Sequence, residues 1–225
     1  MFKIGDIEIH LINDCITMVD GGGAFGLVPR KLWQRYFKPD DNNLIPMTQT
    51  CLLVKADGKN MVVDTGLGTK LNDKARKMFQ IQAEGGLLRG LAKLGLSPND
   101  IDLVIDTHLH SDHCGGNTYL DTNGELQVTF PNAEYIVQRR EYEDAMHPNE
   151  RTAATYFPIN YEPLVKSGQM RLLDGDTELA KGITGIVTRG HTPAHMSVRF
   201  ESKGEFGTFL CDLATYAVHI ERIGW

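Results

Sequence analysis

The run Thr107-His108-Leu109-His110-Ser111-Asp112-His113-Cys114-Gly115-Gly116 constrains this chain more than any other stretch. Five of its residues can bind or support a metal ion, and it follows the apolar, β-branched segment Ile101-Asp102-Leu103-Val104-Ile105-Asp106. That segment reads as a buried strand. Side chains alternate along a strand, so His108 and His110 face one way while Leu109 turns back to the core. Asp112 and His113 are then expected on the turn beyond, with Gly115-Gly116 easing the backbone as it folds away. Three of the chain's eight histidines fall within these six positions. Imidazoles and a carboxylate crowded at the end of a core strand persist when a cation holds them together. Scattered surface histidines would not need such spacing.

Thr-His-Leu-His-Ser-Asp-His followed by Gly-Gly resembles the His-x-His-x-Asp-His signature of the metallo-β-lactamase superfamily, and the lead-in Leu96–Asp102 is similar to what precedes it there. Three more landmarks of that family occur in order: Val63-Asp64-Thr65-Gly66, Gly190-His191-Thr192-Pro193-Ala194-His195, and Cys211-Asp212-Leu213. The resemblance implies an α/β fold, the four-layer αββα sandwich, over a single domain of residues 1–225. It further implies a histidine ligand several tens of residues beyond Asp212, whereas only His219 follows and the sequence stops at Trp225. The expectation is therefore a domain cut short of its C-terminal strand and helix, with a second metal site lacking one ligand.

By the same resemblance His108, His110 and His191 would hold one divalent ion, and Asp112 and His113 would start a second site. Asp212 would bridge the two ions, and Asp64 would support the site from beneath. Imidazole and carboxylate suit zinc, with manganese, iron or cobalt compatible. Two such ions would supply a bridging hydroxide near neutral pH. Asp112 and Tyr216 are the candidate catalytic groups, Asp112 for the proton and Tyr216 as an oxyanion or leaving-group donor. Lactonases of the superfamily carry their tyrosine three residues after the aspartate, and Tyr216 lies four after Asp212. His195 is expected to orient the His191 loop, Cys114 to be a buried spectator, and His219 to be a pocket or packing residue more than a ligand.

The segment from Asp212 resembles the N-acyl homoserine lactonase-like (quorum-quenching) members, which implies opening of a lactone ring in a small ester substrate. Thioester hydrolysis of the glyoxalase II kind and phosphotriester hydrolysis are the alternatives; a fold-retaining binding protein is the non-enzyme alternative. Members that cleave β-lactams usually lack the bridging aspartate at this place, and nuclease members carry an extra domain that does not fit here. The flavin-partnered di-iron oxidases replace the second histidine with glutamate, so His110 speaks against redox chemistry.

Composition adds bounds. A net charge of −6 argues against a nucleic-acid partner, and no apolar run approaches a membrane span. Cys15, Cys51, Cys114 and Cys211 form no CxxC pair, which excludes a zinc ribbon and points to free thiols in a reducing cytoplasm. A homodimer is what the resemblance implies for assembly.

Elsewhere, residues 2–18 predict a hairpin turning at Gly5-Asp6, and Gly21-Gly22-Gly23 a flexible loop. Pro29–Phe37 predicts a short helix whose Trp33, Tyr36 and Phe37 are expected in the core, with the wall of a substrate pocket as the alternative. Thr50–Lys55 and Asn60–Val63 predict strands joined at Asp57-Gly58. Residues 71–94 read as helical with a break near Gly85-Gly86, and 139–166 as mostly helical. Ala133–Val137, Met170–Leu173 and Ile183–Val187 read as strands.

Overall fold

Alternation along the central strands sorts their side chains into two apolar layers. Leu53, Val62, Val104, Tyr135 and Val137 face one way, and Leu52, Val54, Met61, Val63, Ile105 and Ile136 the other; all are 0–2% exposed. Such strands are covered on both faces.

The computed structural model describes all of Met1–Trp225. The first half holds β1 (Phe2–Ile4), β2 (Ile7–Asp20), α1 (Gly21–Phe25), α2 (Arg30–Trp33), β3 (Leu44–Ala56), β4 (Lys59–Val63), α3 (Asp73–Met78) and α4 (Gly86–Lys93). The motif region follows with β5 (Leu103–Ile105), α5 (Ser111–Cys114), β6 (Thr118–Leu120), β7 (Leu126–Val128), β8 (Glu134–Gln138), α6 (Arg139–Met146), α7 (Glu162–Lys166) and β9 (Met170–Leu173). Last come β10 (Thr177–Ala180), β11 (Ile183–Val187), β12 (Met196–Ser202), β13 (Glu205–Phe209) and α8 (Ala217–Glu221).

A seven-stranded sheet runs β1-β2-β3-β4-β5-β8-β9, antiparallel up to β4 and parallel from β4 to β9. An antiparallel four-stranded sheet, β10-β11-β12-β13, packs Ile183, Met196, Val198 and Phe200 against its inner face. Helices cover the other face, with Leu87 and Leu91 of α4, Ala145 of α6 and Leu164 of α7 in the core. Helix, sheet and sheet make three layers of the expected αββα sandwich. The outer face of the small sheet is open: Phe206 is 70% exposed, with the Arg199 guanidinium 5.1 Å from its ring centroid. No helix is long and apolar enough to cross a membrane.

The turn Asp57-Gly58 takes positive φ at both residues, as a tight hairpin requires. Gly21–Gly23, expected as a flexible loop, instead form most of α1. The Asp20 carboxylate caps that helix by accepting from the Gly22 N–H, and the Phe25 ring stacks on Trp33 at 5.2 Å. Residues 139–166 are less helical than expected, since α6 ends at Met146 and a non-helical loop leads on to Pro158. β3 starts at Leu44, six residues before the predicted strand, because it pairs with the whole length of β2.

Candidate metal centre

Parallel pairing sets Val63 beside Ile105, so Asp64 and Asp106-Thr107 leave the sheet at the same end of the strands. The buried Asp64 carboxylate accepts from the Thr107 N–H (2.8 Å), the Thr107 hydroxyl (2.9 Å), the His113 Nδ1–H (3.0 Å) and the Cys211 thiol (3.3 Å). An ionised carboxylate only accepts, so Thr107 spends its proton on Asp64 and accepts from the Nδ1–H of His108 at 3.0 Å. This fixes the tautomer of both rings. Each keeps an unprotonated Nε2 when neutral, and the Nε2 of His108 is buried with no hydrogen-bond partner. A buried lone pair without a donor is costly in a protein interior, and a cation is the partner that fits it.

The other donors converge on the same place. His110 Nδ1 lies 2.9 Å from His191 Nε2, and the ligating atoms of His108, His110 and His191 are all within 4.8 Å of one another. Asp212 Oδ2 stands between the two halves, 3.3 Å from His191 Nε2 and 3.4 Å from His113 Nε2. Asp112 Oδ2 is 3.7 Å from the same His113 nitrogen. The structure thus brings together all six residues expected as ligands. β5 ends at Ile105, so His108 and His110 lie on the loop beyond it and not on an extended strand as expected, and Asp112 and His113 sit in the single helical turn of α5.

Electrostatics divide the cluster. Burial, aided by the neighbouring histidines, keeps His108 neutral well below its ordinary pKa and brings His110 down to about 3. Burial also opposes charge on His113, but Cys211, Asp212 and Asp112 outweigh it and raise its pKa well above the ordinary value. Burial likewise opposes the Asp212 carboxylate; His113 and His191 overcome it and hold its pKa far below the usual range.

Glycine permits close approach beneath the centre. A Cβ on Gly115 would strike the Leu67 carbonyl, and one on Gly116 that of Thr65. Their role is contact with the Asp64 loop, more than the easing of the backbone that the sequence suggests. Cys114 is buried, its thiol donating to the Leu109 carbonyl at 3.3 Å, as a spectator would. His195 is fully buried, with Nδ1 2.9 Å from the Thr188 hydroxyl, and its loop closes through Thr188 N–H to His195 O and Gly190 N–H to Thr192 O.

Above the ligands lies a cleft of about 620 Å³, walled by His110, Asp112, His191 and Asp212 on the polar side and by Val19, Met47 and Phe79 among the apolar residues. His219 lines this cleft, away from the ligand atoms, and its Nδ1 accepts from the Tyr216 N–H at 3.3 Å. Tyr216 is placed apart from the ligand atoms. Its hydroxyl donates to the Pro46 carbonyl at 3.3 Å, and its ring packs 4.6 Å from Phe37. Burial pushes the phenol up to about 12, and it does not line the cleft. The four-residue spacing after Asp212 puts it in the aromatic cluster under α1. Three supporting residues escaped the sequence reading: Thr107, Glu141 and Cys211. Thr107 stood inside the motif, where its hydroxyl beside His108 was the available signal; the other two are recognised only through contacts distant in sequence.

Residues 44–224 match the Metallo-beta-lactamase superfamily. An N-acyl homoserine lactonase of Bacillus thuringiensis is 28% identical over 184 residues, covering 77% of this chain and 66% of the relative. The chain thus spans just under two thirds of the length of such curated relatives. Among solved structures, a "probable metal-dependent hydrolase" from Staphylococcus aureus is 33% identical with a TM-score of 0.85, over 92% of this chain and 73% of that one. An N-acyl homoserine lactone hydrolase, with the product N-hexanoyl-L-homoserine at its catalytic metal centre, is 25% identical with a TM-score of 0.64, over 90% of this chain and 72% of that one. With a match running through most of its length and through all six converging residues, the chain belongs to the metallo-β-lactamase superfamily.

Proposed function

We propose that this chain is a dinuclear metal-dependent hydrolase that opens lactone rings, with acyl-homoserine lactones as its substrates. The observation that carries the reading is the donor set: a buried, unpartnered His108 Nε2 among five further ligands, with Asp212 between the two halves. Relatives named N-acyl homoserine lactonases direct it to lactones. His108, His110 and His191 would hold one ion, Asp112 and His113 the other, and Asp212 both. Imidazole and carboxylate donors favour zinc. Ions so held polarise a carbonyl and lower the pKa of water to near neutrality.

The chain's own residues do the rest. Asp64 and Thr107 fix the histidine tautomers, which keeps ligand lone pairs aimed at the centre. Asp112, part-exposed in the cleft, is placed to take the proton released at the centre. The apolar wall around Val19, Met47 and Phe79 gives an acyl group a surface that excludes water. A homodimer in a reducing cytoplasm completes the proposal; the four free thiols support the compartment.

Acid release, followed with a pH indicator on zinc-loaded protein, tests it. An acyl-homoserine lactone, a glutathione thioester and a phosphotriester are supplied in parallel. Acid from the lactone is expected. Acid from the thioester or the phosphotriester alone would replace the lactonase reading with that chemistry.

A further inference from the structure

We infer that Glu141 is a positioning residue whose carboxylate locks the loop bearing His108 and His110 to the loop bearing His191, and thereby sets how tightly the three-histidine site holds its ion. The inference rests on the proposed metal reading of that site.

Glu141 lies in the first turn of α6 and is fully buried, yet no lysine or arginine pairs with it. A carboxylate placed so is tolerated only where hydrogen bonds replace its lost hydration. Three donors do this. The N–H of Leu109, the peptide between the two motif histidines, donates to Oε1 at 3.1 Å. The Tyr156 hydroxyl donates to the same oxygen at 3.0 Å. The hydroxyl of Thr192, the residue after His191, donates to Oε2 at 2.6 Å.

Each donor belongs to a segment that carries or touches a ligand. Leu109 and Thr192 flank ligands directly, and the Tyr156 ring lies 5.0 Å from that of His110, to which its backbone also pairs. One buried group thus spans sequence separations of 32, 51 and 15 residues. The His110–His191 approach of 2.9 Å depends on two loops from different sheets meeting in register, and Glu141 bonds to both. Asp64 performs the matching task beneath His113, and no atom of Glu141 bonds to that half.

The test is zinc binding alone, without substrate, measured by competition with a chelating dye for wild type, E141Q, E141L and T192V. Glutamine keeps one acceptor oxygen for Leu109 and Tyr156 and offers its amide to the Thr192 hydroxyl. E141Q should therefore stay within roughly threefold of wild type. E141L should weaken one of two zinc ions by about 10–100-fold and leave the other unchanged. T192V, which removes a single hydrogen bond, keeps the test open if E141L fails to fold; a loss of roughly tenfold at the same ion is expected. Equal weakening of both ions, or wild-type affinity in E141L and T192V, overturns the inference. Absence of zinc binding by wild type would overturn the metal reading itself, a result distinct from selective failure of the variants.

Discussion

The two halves of the histidine cluster are prepared in opposite ways. His108 and His110 are kept neutral by burial and by one another, so they present lone pairs over the whole range near neutrality. His113 sits beside Cys211, Asp212 and Asp112, which favour its protonated form against the effect of burial. A ligand must be unprotonated. His108 and His110 are therefore ready for a cation, whereas the surroundings of His113 favour a proton in the cation's place. The contrast teaches that two sites within one cluster can differ in what their filling releases.

Removal of the shared carboxylate should have the largest effect. Asp212→Ala should lower lactone hydrolysis by more than the ~100-fold limit typical of residues outside the ligand set, and should leave at most one ion per chain by atomic absorption. Full activity with two ions retained would break the idea that Asp212 joins the halves. Asp64→Asn comes next. It disturbs the hydrogen bond that fixes His113 directly and the Thr107 hydroxyl that orients His108, and should weaken the His113 ion about 10–100-fold and the three-histidine ion less; equal loss at both ions would mean that the halves are not separable.

Acidity sharpens the contrast further. Zinc binding at the second half should strengthen as pH rises from 6.5 through the raised pKa of His113, while His108 and His110 release no proton over that range. Calorimetry in buffers of different ionisation enthalpy reads the released proton. In metal-free protein the folded state binds fewer protons at His110 than the unfolded chain does between pH 6.5 and about 3. Its contribution to stability is thus full above 6.5 and is lost as pH falls through that window. His113, raised in the folded state, contributes below 6.5 and loses that contribution as pH rises through its folded pKa. A melting temperature that drops from pH 7 to pH 5, with a shallower drop in His110→Gln, is the expected outcome. Tyr216→Phe should matter least, changing turnover by less than about threefold and stability by about 1 kcal/mol. A large fall in turnover with KM unchanged would return Tyr216 to the catalytic group.

The candidate ligands were legible because the motif is local: seven residues hold four donors on one loop and turn, and two short glycine- or cysteine-led landmarks supply His191 and Asp212. What holds those donors was not. Cys211 meets Thr107 across 104 positions, and Glu141 meets Thr192 across 51, so no spacing rule reveals either contact. Tyr216 shows the limit from the other side. A shift of one residue relative to the family's spacing carries a phenol from the expected site into an aromatic cluster. The Gly21–Gly23 helix escaped because glycine disfavours helix, and the outcome there depends on the Asp20 cap and on packing of Phe25.

The donors span residues 108 to 212 and come from loops at strand ends of both sheets, so the site does not exist until the two sheets are docked. An ion that binds there acts as a cross-link made by folding itself. Free ion at a hundredfold excess over its dissociation constant would add about 2.7 kcal/mol to the folded state. With an ion bound so, the abundance of the folded chain would depend on metal supply, whatever substrate the cleft accepts.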